Sequence, residues 1–153
     1  MPHEVYFRAG IGALVTNGDR LVLVAERSDV HDAWQCPQGG LQPGEEPRDA
    51  LRRELAEETG IRWSDVAVID EHSDWLAYEL PPEARSEKTG RGQVQKWFLL
   101  RYQGADQDIN VSGANEAEFE RWKWVLMEDL INHVWQVKRP IYENLARRWA
   151  EFL

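Results

Sequence analysis

Pro37, Gly39, Gly40, Pro43 and Gly44 fall within eight positions and lead directly into a segment, Pro47 to Thr59, with the marks of a helix. No other part of the chain constrains the fold as strongly. Proline fixes φ and removes a donor while glycine frees φ, so the crowded stretch reads as a shaped loop without regular structure. The segment behind it has Pro in its first turn, good helix formers from Asp49 to Glu58, Leu51 and Leu55 four apart, and Gly60 as the stop. On this helix Glu54, Glu57 and Glu58 stand at i, i+3 and i+4, so three carboxylates share one face and repel one another. A solvated acidic face is the ordinary reading. Set immediately behind a Pro/Gly loop, the cluster has a second: a Mg²⁺ or Mn²⁺ ion offsets the repulsion, because hard divalent cations take carboxylate oxygens and keep other positions for water and substrate phosphates.

Around this junction the pattern is mainly that of strands. Residues 12–16 and 21–25 are apolar and flank Asn17-Gly18-Asp19, a hairpin signal in which Asn and Gly tolerate positive φ. Further strand signals lie at 66–69, 75–80, 97–102 and 122–126. From Pro140 onward, Ile141, Leu145, Trp149 and Phe152 recur at helical spacing and predict an amphipathic helix against the sheet. Strands mixed with two or three helices give an α+β or α/β sandwich. With no repeat or linker, residues 1–153 read as one domain, and with 42% hydrophobic residues and eight Trp the chain can build a core. Its charge, 18 − 27 = −9, disfavours non-specific binding to nucleic acid, DNA included, so a polyanion has to meet a local basic site or a metal. One cysteine, Cys36, excludes an internal disulfide and a Cys-cluster metal site. Neither a signal-peptide core nor a run of roughly 18 apolar residues is visible, so the expected location is the cytoplasm, with no membrane partner.

Read with fixed spacing, Gly39-x5-Glu45-x7-Arg53-Glu54-Leu55-x-Glu57-Glu58-x-Gly60-Ile61 matches all nine specified positions of the 23-residue signature of the Nudix hydrolases, and the chain resembles that family. The resemblance implies the α+β Nudix fold, a mixed sheet between helices, and hydrolysis of a nucleoside diphosphate linked to another moiety. It implies that Glu54, Glu57 and Glu58 are metal-ligand carboxylates for Mg²⁺ or Mn²⁺. Glu45 and Arg53 then tie loop to helix, while Gly39 and Gly60 serve the loop and the helix stop.

Trp34-Gln-Cys-Pro-Gln-Gly-Gly, Gln93-Val-Gln-Lys-Trp-Phe and Glu118-Phe-Glu-Arg-Trp-Lys-Trp-Val carry the similarity from Arg8 to Tyr142, toward the branch of RNA pyrophosphohydrolases and dinucleoside polyphosphate hydrolases. By that similarity Glu118 is a further metal carboxylate, against the plainer reading of one more surface acid. Glu54 is the candidate general base, with Glu118 as its rival. Arg8, Arg27, Gln93, Lys96, Lys138 and Arg139 match positions near substrate phosphates or the first nucleotides; each has a surface charge or polar group as its alternative. Residues 85–101 carry Arg85, Lys88, Arg91, Lys96 and Arg101 against Glu87, a local +4. Cys36 replaces a larger apolar residue of the family and reads as structural, not nucleophilic. Val137 stands where this branch often has an aromatic; Trp135 can substitute in base stacking only if it points the same way, and otherwise reads as a core residue. The leading expectation is an RNA 5′-pyrophosphohydrolase, the alternative a diadenosine tetraphosphate hydrolase, and a third a nucleotide-sensing binding module, against which the intact carboxylate set argues.

Overall fold

The computed structural model of the chain describes residues 5–29, 33–112 and 119–153. Apolar, β-branched segments build β1 (Phe7–Thr16) and β2 (Val22–Arg27), joined where Asn17 and Gly18 lead the turn. The turn differs from expectation in one respect. Asn17 Oδ1 accepts the backbone N–H of Asp19 (2.9 Å) and of Leu21 (3.1 Å), and positive φ falls on Arg20 (64°) instead of on Asn17 or Gly18. The side-chain bonds organise the turn and move the left-handed position one residue past Asp19.

Within the Pro/Gly stretch the expectation of no regular structure is corrected. After the two-residue β3 (Trp34–Gln35), Gln38–Gly40 forms a short strand, β4, antiparallel to β1 with Gly39 opposite Ile11. These glycines serve close approach more than turning. A Cβ on Gly39 would land on the carboxylate of Glu54 on the helix α1 (Pro47–Thr59), so a larger residue there would displace that side chain. Helix α1 ends as predicted, on Gly60 with φ 69°, whose N–H donates to Ala56 O (3.1 Å).

The strand signals at 66–69 and 75–80 belong to one long strand, β5 (Val66–Glu79), bulged twice along its pairing with β6 (Gly92–Tyr102). β6 runs parallel to β1 from Phe7↔Gly92 to Thr16↔Arg101, and β7 (Phe119–Val125) pairs antiparallel with β2. Among the described residues the sheet is mixed, in the order β3-β2-β1-β6-β5, with β4 on β1 and β7 on β2. Leu126, expected as strand, caps α2 (Met127–His133), and the C-terminal periodicity becomes α3 (Arg139–Arg148).

Period-two alternation divides the core. Ile11, Ala13, Val15, Leu23, Phe98 and Leu100 face α1 with Leu51 and Leu55, while Leu14, Val22, Val24, Trp97 and Leu99 face α2 and α3 with Leu130, Tyr142 and Leu145. The sheet is thereby covered on both faces, as an α+β sandwich. No helix among the described residues is long and apolar enough to cross a membrane.

Candidate active site

Arg53 organises the junction of loop and helix. Its Nε and Nη2 donate to the two oxygens of Glu45 (2.9 and 2.8 Å), Nη2 also to Gly40 O (3.0 Å), and Nη1 to Glu54 Oε1 (2.7 Å). Such a forked guanidinium holds a carboxylate in a fixed plane. The same bonds hold the Glu45 carboxyl down at about 2 and raise Arg53 further above its ordinary value. Glu45 also accepts the N–H of Gln42 (3.0 Å), which closes the loop on itself.

The three helix carboxylates are not equivalent. Glu54 is 12% exposed, and burial pushes its carboxyl up, against the pull of Arg53 and with help from the Glu57 charge. Glu58 is buried and its Oε2 accepts the N–H of Gln38 from β4 (3.2 Å). Glu57 is 60% exposed, with Arg53 Nη1 at 3.4 Å. Glu54 and Glu58 line a cleft of about 670 Å³; Glu57 stands outside its lining. Among the described residues no three acidic, His or Cys side chains gather into a ready-made metal cage, and Glu118 lies outside the described residues. The donor set nevertheless fits Mg²⁺ or Mn²⁺: it is all hard oxygen, it sits at the wall of an open cleft, and burial makes the negative charge on Glu54 costly unless a cation offsets it. Such ions are held by one or two carboxylates, with waters and phosphates completing the shell.

Of the six residues expected at the substrate, four line this cleft: Arg8, Arg27, Gln93 and Lys138. Arg8 Nη1 donates to Lys88 O (2.8 Å). The Arg27 fork is engaged by Asp29 (Nε to Oδ1 2.9 Å, Nη2 to Oδ2 2.6 Å), and this pairing holds the Asp29 carboxyl below its usual range. Lys138 is buried, donates from Nζ to Gln35 Oε1 (3.0 Å), and burial brings its ammonium down to about 8, with Arg27 adding to the effect.

Lys96 and Arg139 do not join them. Lys96 shares a strand face with Phe98 and Leu100 and pairs with Glu71 (3.8 Å) on β5; Arg139 Nε donates to Ile131 O (3.0 Å) and ties α3 to α2. The local +4 is likewise largely internal, since Arg85 and Arg91 both pair with Glu79 (3.2 and 2.6 Å) and of the five cations only Lys88 reaches the cleft. Cys36 is fully buried, its thiol pushed up to about 12 by desolvation, so it is no nucleophile. Sequence reasoning missed the cleft position of Tyr78 and favoured the core over the cleft for Trp135. Trp135, expected in the core, is 44% exposed, and the smaller Val137 packs inward in its stead. Two valines beside a tryptophan give no periodicity from which this could be read.

The NUDIX domain family profile matches residues 6–145. The chain is 41% identical over 149 residues to the RNA pyrophosphohydrolase of Rhodospirillum rubrum, covering 95% of this chain and 88% of the relative. It is 36% identical to the chloroplastic Nudix hydrolase 26 of Arabidopsis thaliana, covering 99% and 73%. Among solved structures, a C. elegans Ap4A hydrolase binary complex superposes with a TM-score of 0.72 at 21% identity (94% and 98% covered), and the E. coli dihydroneopterin triphosphate pyrophosphohydrolase with 0.74 at 21% (93% and 98%). These two act on different substrates by their names, so the shared fold does not discriminate among substrates.

Proposed function

The chain belongs to the Nudix family and is a hydrolase of pyrophosphate bonds, and from that premise we propose that it is an RNA 5′-pyrophosphohydrolase, removing pyrophosphate from 5′-triphosphorylated RNA so that decay can begin. One observation carries this reading: a single cleft joins the acidic wall of Glu54 and Glu58 to the cationic Arg8, Arg27 and Lys138, in a chain whose net charge of −9 is otherwise unsuited to RNA. The naming of relatives about 40% identical over nearly the whole chain supports the choice of RNA.

Glu54, Glu57 and Glu58, with Glu118, are the residues that would hold Mg²⁺ or Mn²⁺, which when bound shields phosphate charge and lowers the pKa of a coordinated water. Glu54 is the candidate base: Arg53 holds its carboxylate at the wall of the cleft, where it can take the proton of an attacking water. Arg53 sets the orientation of Glu54 through the 2.7 Å bond and does not touch substrate. Arg8, Gln93 and Lys138 bind the polyphosphate, Lys138 regaining full charge as the phosphate offsets its desolvation. Lys96 and Arg139 are assigned to packing, as their partners indicate. The working compartment is the cytoplasm, where the substrate is made.

Competition between triphosphorylated RNA and diadenosine tetraphosphate in one reaction tests the assignment, with RNA consumed first; preferential loss of the dinucleotide would replace it. Turnover should vanish on chelation and return with Mg²⁺ or Mn²⁺. Glu57→Gln should lose at least about two orders of magnitude in kcat with an unchanged or higher melting temperature, because one of three like charges is removed. Wild-type turnover in that variant would remove Glu57 from the site.

A further inference from the structure

We infer that Gln95, a fully buried residue behind the cleft, is the positioning residue that makes Gln93 a hydrogen-bond donor to the phosphates of the substrate. The inference rests on the polyphosphate reading above and adds what fixes the polarity of one of its ligands. Gln93, Gln95 and Trp97 alternate along β6 and so share one face of the sheet, the face packed by α2 and α3. Of the three only Gln93 lines the cleft; Gln95 is 0% and Trp97 1% exposed. The neighbours of Gln93 across the sheet, Arg8 on β1 and Tyr78 on β5, line the same cleft.

A glutamine amide carries a carbonyl and an NH2, and its partners decide which of them points where. Here the chain of partners has a fixed sense. The Trp97 indole N–H is a donor only, and it donates to Gln95 Oε1 (3.2 Å). Gln95 Nε2 in turn donates to Gln93 Oε1 (3.1 Å), and with its carbonyl held inward Gln93 turns its NH2 to the cleft. The indole that starts the chain is itself immobilised: a Cβ on Gly12 of β1 would fall inside its ring, and Tyr142 of α3 meets it edge-on at 5.6 Å between centroids. Reversing Gln93 alone would set its NH2 against that of Gln95, two donors face to face at a buried position where an unmade hydrogen bond is costly. The relay thereby keeps a donor toward the phosphates, where an unrestrained glutamine would present its carbonyl part of the time.

The test measures kcat and KM on triphosphorylated RNA across a pH series for wild type, Gln95→Glu, Gln95→Met, Gln93→Ala and Gln93→Ala combined with each Gln95 substitution. An ionised carboxyl in place of the Gln95 amide accepts from both sides, so it takes the indole N–H and turns Gln93 round to offer its carbonyl to the cleft. Gln95→Glu should raise KM about tenfold at alkaline pH, the lower end for a hydrogen bond to a charged group, with kcat near wild type because the contact is made in ground and transition states alike. The penalty should shrink in acid, where the new carboxyl, its pKa lifted by burial, takes up a proton and donates to Gln93 as the amide did. Gln95→Met frees Gln93 without reversing it and should raise KM about threefold at every pH; it carries the comparison if the buried carboxyl prevents folding. In the Gln93→Ala background neither substitution should move KM further, since no amide remains to be oriented. A KM unchanged by both Gln95 substitutions, a penalty that persists in the Gln93→Ala background, or a wild-type KM in Gln93→Ala each overturns the relay, the second by showing that Gln95 acts through the packing of β6. If wild type prefers diadenosine tetraphosphate, the RNA reading falls separately, and the same set of variants measured on that dinucleotide decides Gln95.

Discussion

At the scale of single residues, the electrostatics of the junction concentrate on Arg53, whose guanidinium meets Glu45, Glu54, Glu57 and a loop carbonyl at once. Its removal thus reaches both stability and the orientation of Glu54, a coupling that spacing alone did not suggest. Glu45 separates the two effects, since it touches loop and Arg53 but no helix carboxylate. Its carboxyl sits at about 2 in the fold against an ordinary 4.5. The folded state keeps the charge where the unfolded chain takes up a proton, so the stabilisation is full above pH 4.5 and is lost as pH falls toward 2. Glu45→Gln should therefore melt below wild type at pH 7, and the gap should close in acid; a gap independent of pH down to 2 would show that the ion pair is not its source. Calorimetry across that range reads both.

At the scale of elements, the Pro/Gly segment and α1 act as one unit in which β4 anchors the loop on β1 and Gly60 releases the chain from the helix. Gly60 has φ 69°, and an added Cβ would meet nothing nearer than Asn110 O at 3.4 Å. Space is thus not the constraint. The cost of Gly60→Ala is the left-handed backbone itself, about 1–2 kcal/mol, or roughly 2–8 °C in melting temperature for a chain of this size. Since Glu54, Glu57 and Glu58 lie upstream of the cap, kcat at 25 °C should stay near wild type; a large fall in kcat would mean that the cap sets the register of the carboxylates. Helix α1 and its stop were legible beforehand because they follow from local propensity. Strand β4 was not, because its pairing depends on β1 being alongside: Gln38, Gly39 and Gly40 have no strand propensity of their own and are drawn into one by hydrogen bonds to a distant segment.

For the whole molecule, the governing contrast is between a net charge of −9 and a cleft that gathers cations. Few phosphate contacts in an acidic protein predict a shallow salt dependence: with two cations engaged, Arg8 and Lys138, log KM for RNA should rise against log salt with a slope of about 1.4, at about 0.7 per contact for a single strand. Lys138→Gln should lower that slope by about 0.7, and a slope unchanged by it would take Lys138 out of the phosphate site. What the sequence determined by itself is whatever neighbours along the chain decide: the carboxylate face of α1, the Arg53 and Glu45 spacing, the capping Gly60, the amphipathic C-terminal helix and the burden of apolar strands. These are set by periodicities of 3.6 and 2 and by residue-specific backbone freedom. Only the tertiary structure decided which charges reach the cleft. Lys96 and Arg139 were spent on Glu71 and on the Ile131 carbonyl, Arg27 was met by Asp29, and Trp135 was turned outward while Val137 filled the core. Long cationic and aromatic side chains take their roles from whichever partner the fold brings within a few ångströms, and those partners lie on other elements of the sandwich or across a turn whose direction the packing of α2 and α3 sets.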